Sequence, residues 1–583
     1  LILRNTTVKT PDSVDFPIAQ GDLPHNGTGE TFQNQTEFTG TVDYRGTNVI
    51  NGVTTVTADV DYLIYDSKAK EEGYTIRVGE VKDAIKLDEQ GNVEYIGYYK
   101  DLVAACNAAA ATETEKQKEV FLIDNVTVTE NLTIPSAKIN GNNKTLTAPR
   151  IYKAVDAILE IASLNIVTNT EAPIFQMNGD SENATAPSYA KFTKCTFTTD
   201  QKVPYAYFVQ QANLILNNCA INITHAECDK PIFRLDKGAD VTLAGTKLNV
   251  VESAPNLIGF DVVSDGGSAI LLKGATDIQL GKTVFTAGSK ANVSFVLTER
   301  ATLTTANTDA IVVPAEAAGW TLNVGGSAIV TAEKGVAITV NAPNMAVTVG
   351  GNAKVSGTEA ALHAAAAGVV FTGESGATVE MPSHAKSNAT VLLEGEGSKL
   401  VSSGTITALK TTATVYSIEL AGANTSALIK GGTVNNAVSV GTADAAAAFV
   451  MTGGKVVAQE RAASAIILTN GSADILSGTL SGGAAAISGQ KEVAYAADTT
   501  EITLNELYDN IPLTLGVSMR MNADSLGMRF TSAADAAVVA YAEALKACGA
   551  IQDYEFGTLI VRATEIRQRE MTVAALSAES VTH

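Results

Sequence analysis

Between about residues 119 and 490 the chain is written in short runs of alternating apolar and polar residues separated by glycines. Alternation puts every second side chain on one face of an extended segment, so each run reads as a strand with one buried side. The runs recur, and a repeat outranks any single local signal. One ladder reads GGSAIV at Gly326, GGNAKV at Gly351, SGATVE at Gly376 and EGSKLV at Gly397, and continues as AGANTSALI at Gly422 and NGSADIL at Gly471. Backwards it extends through TERATLT at Arg300, KGATDIQL at Gly274 and KGADVTL at Gly238. A second ladder runs close behind, with VSGTEA at Gly357, SSGTIT at Gly404, KGGTVN at Gly432, TGGKVV at Gly454 and LSGTLS at Gly478. Upstream, KCTFTT at Cys195 and NCAINI at Cys219 stand 24 residues apart, and Thr246 and Leu248 continue the same face.

A step near 24 residues predicts a three-sided coil that climbs one strand spacing, roughly 4.8 Å, per turn. Glycines recur where corners need positive φ or close backbone approach. Residues 119–490 then hold about 15 coils at this step. Ile329, Val355, Val379 and Leu400 are expected to share one inward column. The leucine-rich repeat consensus and the calcium-binding GGxGxD nonapeptide are both absent from the sequence, and a propeller needs a longer period.

The ends read differently. Residues 1–45 begin LILRNTTV and continue with three prolines among polar residues, which predicts an extended arm. The arm has no strand partner nearby in sequence, so Leu1, Ile2, Leu3 and Val8 are expected to add to the sheet of a neighbouring copy and join subunits head to tail. Residues 46–118 predict a small β unit, with strands at TNVING, TTVTADVDYLIYD, YTIRVGEV and NVEYIGYY, followed by a capping helix with Leu102, Val103, Cys106 and Ala110 on one face. In residues 491–583 the period stops. Strands around Met519 and Met528, a helix from Ser532 to Gly549 and a strand at FGTLIVRATEI predict an α+β module.

The helix–strand opening YYKDLVAACNAAAATETEKQKEVFLIDNVTVTENLTI, with INGNNKTLT at Ile139–Thr147, resembles the start of right-handed, pectin-lyase-like β-helix domains of bacterial surface proteins. LGMRFTS and FGTLI resemble a C-terminal module of gut-clostridial surface proteins. The resemblance implies a mostly β protein, a right-handed parallel β-helix with a small N-terminal cap and a small C-terminal domain. It says little of function, because that fold hosts lyases, hydrolases, adhesins and tailspikes alike.

Composition agrees with stacked strands rather than a ring-filled core: 45% of residues are hydrophobic but only 6% aromatic. The net charge of −21 and the lack of a basic run argue against a nucleic-acid partner. Acidic surfaces suit mutual repulsion, and divalent cations bridging them between subunits are compatible with it. No resident cofactor is indicated. No apolar stretch has the length to span a membrane. The chain opens at Leu1 with neither a basic nor an apolar leader region, so a signal peptide is expected to have been removed. Sequons at Asn5, Asn26, Asn34, Asn125, Asn131, Asn183, Asn222, Asn292 and Asn388 permit glycosylation in a secretory compartment. Cys106, Cys195, Cys219, Cys228 and Cys548 match no metal or disulfide spacing and are expected to be buried thiols.

Catalytic constellations are missing. A β-helix lyase needs a basic residue facing calcium-binding carboxylates, and a hydrolase needs paired carboxylates. The nearest candidates, Asp261 with Asp265, Glu394 with Glu396, and Asp236 with Asp240, read as solvated corners. His25, His225, His363, His384 and His583 are scattered, and only His363 and His384 lie near one coil apart. Tyr205, Tyr207 and Phe208 read either as core beside Phe175 and Phe197 or as a sugar-stacking patch. The sequence therefore points to a secreted, self-assembling structural protein of the cell surface. A glycan- or host-binding adhesin is the alternative, and a polysaccharide lyase or hydrolase the remote one.

Overall fold

The alternating runs form the strands of a mostly β, parallel β-solenoid of about 13 turns. The computed structural model describes residues 62–482, apart from 88–92, 112–115, 178–187, 250–253, 264–266, 290–291, 459–462 and positions 204, 318, 411 and 413, together with a few short strands outside that range. The turn count falls slightly below the expected 15, and the turns are unequal. Glu119 stands beside Lys138, 19 positions on, whereas Ile158 stands beside Tyr189, 31 positions on. The chain divides into two compact units, residues 1–169 with 188–196 and residues 170–187 with 197–583.

In the first unit the arm finds partners in its own chain. Ile2 and Leu3 pair in parallel with Asp43 and Tyr44, and Val8 with Ile50. These partners stand about 40 positions on in sequence, and Leu1 lies outside the described residues. The segment expected as one long strand splits into strand Val53–Val56 and helix Tyr62–Glu71. Buried Asp66 and Ala69 lie three apart on that helix, Lys68 and Lys70 occupy its last turn, and Gly73 stops it at a φ of 84°. Asp66 accepts from Arg77 Nε at 3.1 Å and from the Tyr98 hydroxyl at 2.8 Å, while Arg77 also donates to the Gly79 carbonyl. Burial and the Asp66 carboxylate push the Tyr98 hydroxyl well above its ordinary pKa. Helix Leu102–Ala109, capped by the Asp101 side chain, buries Leu102, Ala105, Cys106 and Ala109. Ala105 rather than Val103 completes its buried face. Strand Ile76–Val78 then covers the first coil by pairing antiparallel with Glu119–Leu122.

The second unit shows the three sides plainly. Strands such as Thr321–Val324, Ala346–Val349 and Val370–Gly373 stack on the first side, and Ile329–Ala332, Lys354–Gly357 and Thr378–Met381 on the second. The third side holds Val336–Val340, Ala360–Ala364 and Ala389–Leu393. The corner between the first two sides is left-handed at Asn218, Gly245, Gly274, Glu299, Gly326, Gly351 and Gly376 in turn. Gly351 shows why glycine serves there. Its φ is 61°, and a Cβ would lie 2.7 Å from the Gly326 carbonyl oxygen of the coil below.

The expected column is corrected by one residue and one side. Val330, Val355, Val379 and Ile406 are register partners and fully inward, whereas Ile329 stands beside Lys354 and is 38% exposed. Leu400 lies on the first side, beside Phe371 and Ala427. The cause is a change of corner. Four residues separate Val370–Gly373 from Thr378–Met381, but only Ser403 and Gly404 separate Lys399–Ser402 from Thr405–Ala408. The glycine phrase at Gly397 therefore opens a first-side strand, and the ladder continues at Gly404. KGADVTL likewise opens a first-side strand, Asp240–Ala244.

Aromatic rings fill the N-terminal coils of the unit. Tyr207 stacks on Phe233 and Phe233 on Phe260, each at 4.9 Å, and Phe285 meets Phe295 and Trp320 edge-on. There the third side is interrupted, and Phe260 and Phe285 share a single isolated bridge. At the far end strand Glu570–Ala575 pairs antiparallel with residues 478–481 of the last coil, and strands Gly516–Asn522 and Ser525–Arg529 pair as a hairpin. The helix expected from Ser532 to Gly549 lies outside the described residues.

Candidate functional site

Two surfaces, one in each unit, place chemically distinctive side chains in register. In the first unit, alternation turns Val120, Ile139, Ile161 and Phe192 inward and leaves the preceding residues facing out. Those outward residues are Glu119, Lys138, Glu160 and Lys191, partners in successive coils. Parallel pairing thus builds a row of alternating charge with neighbours roughly 4.8 Å apart along the sheet. The row rims a groove of about 190 Å³ that also exposes parts of Ala162 and Thr193. The Tyr189 hydroxyl donates to Glu160 at 3.0 Å, and burial followed by that carboxylate raises its pKa. Among the described residues no ion pair within 4.0 Å joins members of the row.

In the second unit the third side carries Phe175–Met177, Tyr207–Gln210, Pro231–Asp236 and Ile258–Val262. Inward Phe175, Tyr207, Phe233 and Phe260 leave Gln176, Phe208, Arg234 and Asp261 in one outward column, with Gln210 beside Asp236 in the next. Tyr205, just before its strand, sets its ring 5.7 Å from that of Phe208. The Arg234 guanidinium lies 5.6 Å from the Tyr205 ring and 6.0 Å from Phe208. Its Nε is buried without a hydrogen-bond partner, although Asp261 is its register neighbour. Asp261 accepts instead from the Thr286 hydroxyl at 2.7 Å, and Asp236 from the Gln210 amide at 3.3 Å. Of the aromatic trio singled out in sequence, Tyr207 is core, and Tyr205 and Phe208 are half-buried on the flank.

The remaining candidates are dispersed. His363 stacks beside Leu392 rather than His384, and its Nε2 meets Glu394 at 2.7 Å. Glu396 accepts from the Asn424 amide at 3.4 Å. Half-buried Glu419 is held above the ordinary carboxylate range by desolvation and then by Glu394, and Asp240 likewise by desolvation. Asp265 lies outside the described residues. Among the described residues no group of three or more His, Cys, Asp or Glu side chains is placed to hold a metal ion. Sequon residues Asn125, Asn131, Asn222, Asn292 and Asn388 are exposed, whereas Asn5, Asn26, Asn34 and Asn183 lie outside the described residues. Cys106, Cys195, Cys219 and Cys228 are all buried. No protein-family model, curated protein or solved structure matches the chain.

Proposed function

We propose that this chain is a secreted, non-enzymatic structural protein of the cell surface that associates with copies of itself through the charged row of its first coils. The observation that carries the reading is the order of charges, Glu119, Lys138, Glu160, Lys191. An alternating row with an even number of members is its own complement. When a second copy is turned by a twofold axis, Glu119 faces the other copy's Lys191 and Lys138 faces its Glu160, and both contacts repeat by symmetry. Ammonium groups meet carboxylates throughout, so this contact needs no bridging cation. The likeness of the opening coils to bacterial surface β-helices and the exposed sequons fit an extracellular setting.

Magnitude decides what kind of contact this is. Exposed pairs contribute roughly 0.2–1 kcal/mol each. Four of them supply about 1–4 kcal/mol, well short of the roughly 8 kcal/mol of a micromolar complex. The contact is therefore weak, salt-sensitive and suited to molecules crowded on a surface. Joining through the ends of the solenoid is the weaker reading, because Ile76–Val78 and Glu570–Ala575 already pair with the first and last coils and the arm pairs within its chain.

Sedimentation of the concentrated protein at low ionic strength tests this. Association should be present there, fall at about 0.5 M salt where screening is short-ranged, and be lost in Glu160→Lys. The double variant Lys138→Glu with Glu160→Lys, whose row is again self-complementary under the twofold, should restore it. A double variant no better than the single one refutes the twofold pairing.

A further inference from the structure

We infer that the flank of the third side around Tyr205, Phe208 and Arg234 is a binding site for a neutral, pyranose-based glycan. The proposal is independent of self-association, since it concerns the second unit alone. Two observations carry it. First, a sheet face turned to solvent holds two aromatic rings side by side, tilted 52° to one another and half-buried. Its column neighbours Gln176, Arg234 and Asp261 are polar, so an outward phenylalanine at 208 breaks the pattern. Second, the Arg234 side chain over these rings leaves one donor unpaired. Arg234 lies over both aromatics, its Nε is desolvated without an acceptor, and no ion pair ties it to the adjacent Asp261. A buried donor left without a partner is costly and marks a place where an acceptor is missing.

The chemistry of the surrounding groups selects the ligand class. A pyranose offers an apolar face of C–H bonds, which packs on an aromatic ring, and a rim of hydroxyls that both donate and accept. Tyr205 and Phe208 supply the surface for the first. Arg234 donates to hydroxyl oxygens, while Asp236 and Asp261 accept from hydroxyl hydrogens, and Gln176 and Gln210 can do either. Charge selects against an acidic polymer. The patch holds one guanidinium against two carboxylates, on a chain of net charge −21, so a uronate or sulfated sugar meets repulsion. The column is open along the sheet, with the four outward residues spanning successive coils, so a polymer rather than a single sugar fits it.

Native gel electrophoresis through gels containing a soluble β-glucan, a mannan, a galactan or, as charged control, polygalacturonate tests the inference with the full-length chain. Retardation by at least one neutral polymer and none by polygalacturonate is expected. Tyr205→Ala and Phe208→Ala should each weaken the retardation at least tenfold in apparent affinity, and Arg234→Gln severalfold. Tyr205→Phe, which keeps the ring, should bind nearly as the parent does and controls for folding. Failure of all three neutral polymers to retard the parent overturns the proposal. So does preferential retardation by polygalacturonate, or a Tyr205→Ala variant that migrates with the parent.

Discussion

Replacing Val330 by Asp, and separately Ile329 by Asp, turns the corrected register into a measurement. The two positions are adjacent, yet Val330 is fully buried between Leu303 and Val355, while Ile329 is 38% exposed between Thr302 and Lys354. Removing a fully buried valine side chain costs roughly 1.5–3 kcal/mol. A carboxylate in the same dry column adds several kcal/mol, whether it stays charged or is forced to protonate. Val330→Asp should therefore lose on the order of 5 kcal/mol, among the largest effects a single substitution produces. Ile329→Asp forfeits only part of an apolar surface and gains Lys354 as a neighbour, so it should stay within about 1 kcal/mol of the parent. The single tryptophan of the chain, Trp320, is 3% exposed and immediately precedes the first-side strand of that coil, so its emission follows local unfolding. Urea titrations monitored by this fluorescence give the two midpoints. Equal shifts, or a larger one for Ile329→Asp, would refute the register and with it the assignment of inward columns.

Glu419 makes stability depend on pH in a definite direction. Its folded pKa is raised, so the folded state holds the proton more tightly than the unfolded one, and stability falls as pH rises from the ordinary carboxylate range through the raised value. Glu419→Gln should exceed the parent in stability at pH 8 by a margin that shrinks toward pH 4; a margin independent of pH would contradict this. Site-resolved thiol labelling should modify Cys106, Cys195, Cys219 and Cys228 only after denaturation, since all four are buried and desolvation pushes the Cys106 thiol up to about 12. Rapid native labelling at any of them would contradict the burial.

The fold was legible because its main cause is periodic. A strand, a corner and a close backbone approach recur at each turn, and glycine marks the corner in Gly326, Gly351 and Gly376. The side to which a phrase belongs was less legible, since Glu299 and Asn218 adopt the same left-handed corner without being glycine, and the shorter corner at Ser403 and Gly404 carries a similar phrase. A one-residue slip reverses inside and outside, which is how Ile329 was exchanged for Val330. The helix at Tyr62–Glu71 was hidden by Tyr62, Ile64 and Tyr65, residue types that favour strands. Neither interaction surface was fully legible. The charged row joins residues 19, 22 and 31 positions apart, steps that no fixed period reproduces. Phe208 could be assigned outward from Tyr207 and Val209 on either side, but its meeting with Arg234 depends on a register that only the fold sets.

The even spacing of the central coils also bears on inheritance. Thr321 stands beside Ala346, Ile329 beside Lys354 and Val336 beside Ala360, so one full turn advances all three sides by 25, 25 and 24 residues. A recombination event that removed or duplicated one such turn would bring together rows that already know how to pair, because each coil contacts chiefly the one above and the one below. Among the described residues the covering strands pair, of all the coils, with the first and the last, so neither end would need to change. The number of turns is thus nearly neutral to folding and open to drift, and lineages carrying this architecture can vary the height of the molecule without reinventing its core.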